Sequence, residues 1–184
     1  MVCTFPFALA VGPAVPDSVR TLQDFVAWAK ANPGKSNFGS PASGSTPHLV
    51  GSVLGKLAGI DFTHIAYRGD APGLQDLMGG QVAAYSTVLG SYLPHLKSGR
   101  LRLLAVSGTE RSSFAPDLPT YREQGFALDM TEWFGVFVPA RTPAATVSRR
   151  AMAMPSGSPI SMAIKVDATT RARVSIVACH SPIC

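Results

Sequence analysis

Twice in this 184-residue chain a short segment that reads as a strand runs into a loop, and the loop runs into a proline that opens an amphipathic helix. The first instance is Ser36–Ser40, the loop Gly39–Ser45, then Thr46-Pro47. The second is Asp61–Tyr67, the loop Arg68–Ala71, then Pro72. Proline suits a first helical turn because its missing N–H has no intrahelical partner there and its φ is already helical. Behind the first proline, Leu49, Val50, Val53, Leu54 and Leu57 recur at helical spacing, and Gly59 closes the run. Behind the second, Leu74, Leu77 and Met78 do the same, ended by Gly79-Gly80. Strands joined by helices need crossover connections, which predict an α/β fold with a mostly parallel sheet flanked by helices.

The remaining segments extend this pattern. Phe5–Val11 reads as a buried strand stopped by Gly12-Pro13, and Asp17–Ala31 as an amphipathic helix with a Thr21/Asp24 capping arrangement. Gln81–Val88 and Thr131–Val138 are expected strands, and Leu93–Lys97 a short helix. Leu101–Val106 is apolar enough to be buried on both faces. Thr120 and Glu123 read as a capping box that starts a helix ending at Gly125. After about Arg150 the texture changes: Ala151–Cys184 has one acid, Asp167, and weak periodicity, and reads as a tail.

Composition narrows the class. Hydrophobic residues are 46% and charged residues 15%, which suits a packed core rather than a disordered chain. No stretch reaches the roughly 18 consecutive apolar residues of a membrane-spanning helix. The net charge of +5 comes from scattered residues, and the clusters Lys97/Arg100/Arg102 and Arg149/Arg150 are short and lack interleaved aromatics. That argues against a nucleic-acid footprint and for an organic anion. Three cysteines, Cys3, Cys179 and Cys184, build neither a disulfide framework nor a metal cluster. Met1-Val2-Cys3-Thr4 has no basic region, so no secretory signal is expected in the chain as written.

Both loop-to-helix junctions fall at the carboxyl ends of strands, where open α/β sheets bind ligands. Free helix N–H groups and the helix dipole favour an anion there. Ser40, Ser43, Ser45 and Thr46 add hydroxyl donors without net charge, which suits a carboxylate that must bind and leave. The first loop has no lysine after its glycine and the chain has no GxGxxG, so a phosphate nucleotide is disfavoured and no cofactor is expected. His48, Asp61 and His64 match no compact metal-ligand spacing, and no metal is expected. Ser45 with His48 is the remaining hydrolase possibility, but no acid is placed to orient the histidine. Trp133-Phe134-Gly135 packs a core or forms an aromatic wall beside a cleft.

Ordered motifs then carry a resemblance. They are Ala31–Lys35, Gly44–Leu49, His64–Pro72, Asp76–Val82, Leu93–Arg102, Pro116–Thr120 and Trp133–Gly135. In this order and spacing, from about Phe5 to Arg149, the chain closely resembles the Bug-type (TctC-type) extracytoplasmic solute receptors of tripartite tricarboxylate transporters. The resemblance implies one lobe of a type II periplasmic binding protein-like fold and no enzymatic activity. It implies a small organic carboxylate as ligand, membrane transporter subunits as partners and a periplasmic location. It places Ser40, Ser45 and Thr46 on one binding loop, Arg68, Gly69, Asp70 and Ala71 on a second, and Thr87 on the strand after Gln81-Val82.

The chain also departs from the family pattern. Arg68 and Asp70 replace the usual lysine and small residue, and Ser86-Thr87-Val88 replaces Phe-Asp-Asn. An anionic Asp70 would repel a carboxylate unless Arg68 compensates. The expected organisation is residues 1–14 as a crossover strand, 15–128 as the ligand-binding lobe, 129–150 as a return strand and 151–184 as a divergent tail. The other lobe is expected to be missing, through a truncated or frameshifted reading frame, so that binding is weak. The alternative expectation is a non-binding folded remnant that dimerises through the face left by that lobe.

Overall fold

The structure is a computed structural model and describes residues 3–134, 161–166 and 174–179. It divides into two units, Phe5–Thr131 and Met1–Thr4 with Glu132–Cys184. The strands of the main sheet are β1 (Cys3–Val11), β2 (Asn37–Ser40), β3 (Thr63–Ala66), β4 (Ala84–Val88) and β5 (Arg102–Val106), in the order β3-β2-β4-β1-β5. β6 (Thr131–Phe134) pairs β1 off this path. β2 pairs parallel with β3 and β4, whereas β1 pairs antiparallel with β4 and β5. Four of the five strands therefore point one way, as the crossover pattern requires, and β1 is the reversed one.

Reversed or not, β1 is the middle of the core. Phe7, Leu9 and Val11 join one buried cluster with Leu22 and Phe25 of α1 (Leu22–Ala31) and Val50 and Leu54 of α2 (Thr46–Ala58). Ala8 and Ala10 join the other, with Leu74 and Leu77 of α3 (Asp70–Met78) and with Tyr85, Tyr92 and Val106. Both faces of the strand are covered, which is why its sequence is continuously apolar. Each fully buried leucine or phenylalanine contributes about 1.5–3 kcal/mol.

Element starts differ from the sequence expectation for identifiable reasons. α1 begins at Leu22, not Asp17, because the Asp24 carboxylate accepts the N–H groups of Arg20 (3.1 Å) and Thr21 (3.0 Å) while Thr21 Oγ1 accepts the Asp24 N–H (3.1 Å). That reciprocal capping box fixes Thr21 as the cap. α2 takes Ser45, not Thr46, as its cap, and α3 starts at Asp70, two residues before Pro72. The helix expected from Thr120 is a single turn. Its capping-box bonds do form, Thr120 N–H to Glu123 Oε2 at 2.7 Å and Glu123 N–H to Thr120 Oγ1 at 3.1 Å. Gln124, however, is drawn inward: its Oε1 accepts the Leu22 N–H at 2.7 Å and its Nε2 donates to the Leu104 carbonyl at 2.8 Å. Gly125 then reverses the chain at φ 86°. The segment expected as a helix at Leu93–Lys97 is a 3₁₀ turn, Leu93–Ser98, continuing the four-residue α4 (Leu89–Tyr92).

In the second unit, β7 (Ser161–Val166) and β8 (Val174–Cys179) form an antiparallel pair in which Val166 faces Val174 in register. The sequence reading assigned no element there, although Met162, Ile164 and Val166 alternate with Ser161, Ala163 and Lys165. The expected continuation of β6 to Val138, and Arg149, Arg150 and Cys184, lie outside the described residues.

Candidate ligand-binding site

The first junction begins where β2 ends at buried Ser40 and the loop 41–45 delivers the chain to α2. Gly44 turns at φ 77°. The Ala42 carbonyl organises the loop. It accepts Ser45 Oγ at 2.7 Å, Ser40 Oγ at 3.1 Å and the Ser45 N–H at 3.4 Å. Ser45 caps α2 by conformation alone, since its side chain makes no capping bond. The first α2 amides therefore keep no side-chain acceptor from the cap, which leaves the anion-favouring end of the helix open. Ser43 is exposed, and Ser45 and Thr46 are partly exposed.

Two histidines back this loop. The His48 and His64 rings stack with centroids 3.8 Å apart, and Phe38 lies 5.0 Å from His64. Gly44 donates its N–H to His48 Nδ1 at 2.9 Å, so that nitrogen carries no proton. Ser40 Oγ lies 2.8 Å from His64 Nε2. With the Ser40 hydrogen directed at Ala42, the ring nitrogen is the donor in that bond. Burial first, and the neighbouring His48 second, hold the His64 pKa below its usual value. His48 is thus occupied by a backbone amide and Ser45 by a carbonyl, so the pair does not form the nucleophile–base contact a hydrolase needs. Among the described residues no three His, Cys, Asp or Glu side chains converge as metal ligands.

The second junction lies directly beside the first. Tyr67 donates its N–H to the Ser40 carbonyl and Gly69 donates its N–H to the Pro41 carbonyl, both at 2.9 Å. Gly69, at φ 96°, caps α3, a conformation side chains rarely adopt. Arg68, Gly69 and Ala71 are exposed. Asp70 turns its carboxylate toward the end of β4. Oδ1 accepts Thr87 Oγ1 at 2.7 Å and Tyr85 OH at 3.4 Å, and Oδ2 accepts Ser91 Oγ at 2.6 Å. Tyr85 also reaches the Gly69 carbonyl at 3.4 Å. Burial, then the Asp70 charge, push the Tyr85 hydroxyl far above its usual pKa. It stays a neutral donor.

The nine residues singled out from the sequence thus gather at one end of the parallel strands. Ser43, Ser45, Thr46, Arg68, Gly69 and Ala71 present themselves outward, whereas buried Ser40 and Thr87 hold the two loops from beneath. The sequence reading missed Tyr85 and Ser91 and gave the histidines no positioning role. A hollow of about 210 Å³ lined by Trp28, Lys35, Asn37 and Gln81 lies at the opposite end, near the start of β2. Arg102, one of the basic residues weighed for nucleic acid, is taken up by Asp17 at 2.6 Å and by the carbonyls of Val15, Pro16 and Val19.

The α/β sheet flanked by helices, with two adjacent helix starts at the carboxyl ends of its strands, matches the fold of solved periplasmic binding proteins. The family model described as "Tripartite tricarboxylate transporter family receptor" matches residues 1–171, a match that extends past Arg150. The chain belongs to this TctC receptor family. A UPF0065 protein of Cupriavidus necator is 36% identical over 158 residues, covering 83% of this chain and 47% of the relative. BugT of Bordetella pertussis is 34% identical over 143 residues, covering 77% and 43%. The chain spans about half the length of the curated relatives it matches. Among solved structures, an R. palustris protein with adipate matches at TM-score 0.73 and 31% identity, covering 82% of this chain and 50% of that one. MatC from Rhodopseudomonas palustris with bound malate matches at TM-score 0.67 and 26% identity, covering 81% and 50%.

Proposed function

We propose that this chain supplies the carboxylate-holding face of an extracytoplasmic solute receptor, working in the periplasm and delivering a small organic carboxylate to the membrane subunits of a tripartite tricarboxylate transporter. One observation carries the reading. The Gly69–Pro41 and Tyr67–Ser40 hydrogen bonds, each 2.9 Å, fasten the two helix-start loops side by side. On this reading the hydroxyls of Ser43, Ser45 and Thr46 and the first α2 amides are the neutral donors offered to the ligand. The family membership, and the adipate and malate held by two structural relatives, support the same ligand class.

A handful of neutral hydrogen bonds, each contributing about 0.5–1.5 kcal/mol net, gives millimolar affinity, since 1 mM corresponds to about −4 kcal/mol. Amide chemical shifts followed during titration with small carboxylates test this. Expected is saturable movement of the Ser43–Thr46 amides with millimolar midpoints. Amides in that loop that stay still at tens of millimolar of every acid would sink the reading.

A further inference from the structure

Within the carboxylate-holding reading, on which this step rests, we infer that Asp70 selects the other end of the ligand: this site takes a carboxylate that carries an ammonium group, in preference to a dicarboxylate. The two junctions are hydrogen-bonded to each other, so a ligand seated at the first reaches the second. What it meets there is a carboxylate. Asp70 is held by three hydroxyl groups, Thr87, Ser91 and Tyr85, at 2.6–3.4 Å. Hydroxyl groups donate hydrogen bonds to a carboxylate. They also fix the position of the charge without cancelling it.

Among the described residues no cation is paired with it either. Arg68, two residues earlier, is exposed, and among the described residues it forms no ion pair. An ionised carboxylate offers about four lone-pair positions. Thr87 and Ser91 take two, and Tyr85 shares its one hydrogen between Asp70 and the Gly69 carbonyl, which leaves at least one for a donor from outside the protein. A second ligand carboxylate brings no donor and a like charge to this place. A hydroxyl brings the donor, and an ammonium brings the donor and the opposite charge. Asp70 is only partly buried.

The same bonds also tie α3 to β4 and α4, and the experiment separates that role from selection. The whole 184-residue chain is titrated with glutarate, 5-hydroxypentanoate and 5-aminopentanoate, with amide shifts as readout, in the wild type and in Asp70→Asn. The wild type should bind the amino acid at least tenfold more tightly than glutarate, with the hydroxy acid between. Asp70→Asn removes the charge and keeps a hydrogen-bonding side chain, and it should erase that order and strengthen glutarate severalfold. A wild type that binds glutarate as well as 5-aminopentanoate, while the Ser43–Thr46 amides move with both, overturns the role of Asp70 and leaves the carboxylate reading standing. An unchanged order in Asp70→Asn also overturns it. Ser43–Thr46 amides that move with none of the three overturn the carboxylate reading itself, and this inference with it. Should Asp70→Asn not fold, the wild-type ranking at low and high salt decides alone: the preference for the amino acid must shrink as salt screens it.

Discussion

The two junctions share a backbone plan and differ in charge. In each, a glycine lets the helix settle on an aromatic ring. A Cβ on Gly51 of α2 would come within 2.2 Å of the Phe38 ring, and one on Gly73 of α3 within 2.1 Å of the Tyr85 ring. Beyond that the parallel ends. Phe38 has no polar atom to offer, so the first loop is organised by the His48 and His64 rings and by the Ala42 carbonyl. Tyr85 carries its hydroxyl into the second loop, where Asp70 already waits as a fixed negative charge. A repeated motif of strand, small loop and proline-started helix therefore does not fix what its opening binds. The side chains reaching in from neighbouring elements decide that.

The largest expected effect tests the shared plan. Gly51→Ala and Gly73→Ala each force a methyl group into an aromatic ring and should cost about 1–3 kcal/mol or more, measured by urea unfolding. The two should differ in where the damage spreads. Displacing Tyr85 moves its hydroxyl away from Gly69 and Asp70, so only Gly73→Ala should shift the amides of the second loop. Equal shifts there from Gly51→Ala would break the comparison.

Next in size come the hydroxyls beneath each loop. Thr87→Val removes a donor from a carboxylate, and hydrogen bonds to charged groups contribute about 1.5–3 kcal/mol where buried. Asp70 is partly exposed, which reduces the expected loss to about 1–2 kcal/mol. Ser40→Ala removes two bonds between neutral groups; the Ala42 carbonyl keeps Ser45 as a donor, so about 0.5–1.5 kcal/mol is expected for the lost His64 bond. A Ser40→Ala loss larger than that of Thr87→Val would show that charge is not what separates the two loops.

Much of this was legible in the sequence because it rests on local chemistry. The prolines, the small-residue loops and the glycines Gly59 and Gly79 place the helices within a residue or two of where they lie. The continuous apolar run of β1 announces burial on both faces, but no periodicity reveals that the strand is reversed, because direction is set by its neighbours. The Thr120 turn misled for a related reason. Its capping box is real, and the pull of Gln124 toward Leu22 and Leu104, about 100 and 20 residues away in sequence, is invisible locally. Asp70 drew notice as an uncompensated acid, whereas its donors Tyr85 and Ser91 could be found only once β4 and α4 were folded against it.

A smaller effect sharpens the contrast through pH. The His64 pKa lies below its usual 6.5, so the unfolded chain binds its proton more readily than the folded one. The stabilisation is present above about 6.5 and is lost as pH falls through the folded value. His64 stacks on His48, the ring that accepts the Gly44 N–H. Mild acid should therefore speed hydrogen exchange of Gly44 beyond the intrinsic pH effect. Gly69, whose N–H goes to a carbonyl, should show no such extra change. Tyr67, beside the second loop, is pushed up to about 12 by burial and by its bond to Asp76, far outside that window. His64→Gln should reduce the acid sensitivity of Gly44, and equal sensitivity of the two amides would remove the distinction.

The smallest effect concerns Ser45, and its smallness is the point. Thr21→Ala breaks a complete capping box and should cost about 1 kcal/mol. Ser45 stands at the same position of its helix yet spends its hydroxyl on the Ala42 carbonyl, an exposed bond of 2.7 Å. That carbonyl has a second hydroxyl donor in Ser40 at 3.1 Å, so Ser45 can turn away without leaving the acceptor unpaired. Ser45→Ala should therefore change stability by no more than about 0.5 kcal/mol while weakening carboxylate binding severalfold. A hydroxyl whose removal costs little in folding and much in binding is one held in reserve for a ligand oxygen. If Ser45→Ala instead destabilises the fold as much as Thr21→Ala and leaves the titration midpoints unchanged, the hydroxyl is an ordinary cap and the first junction loses its reserve donor.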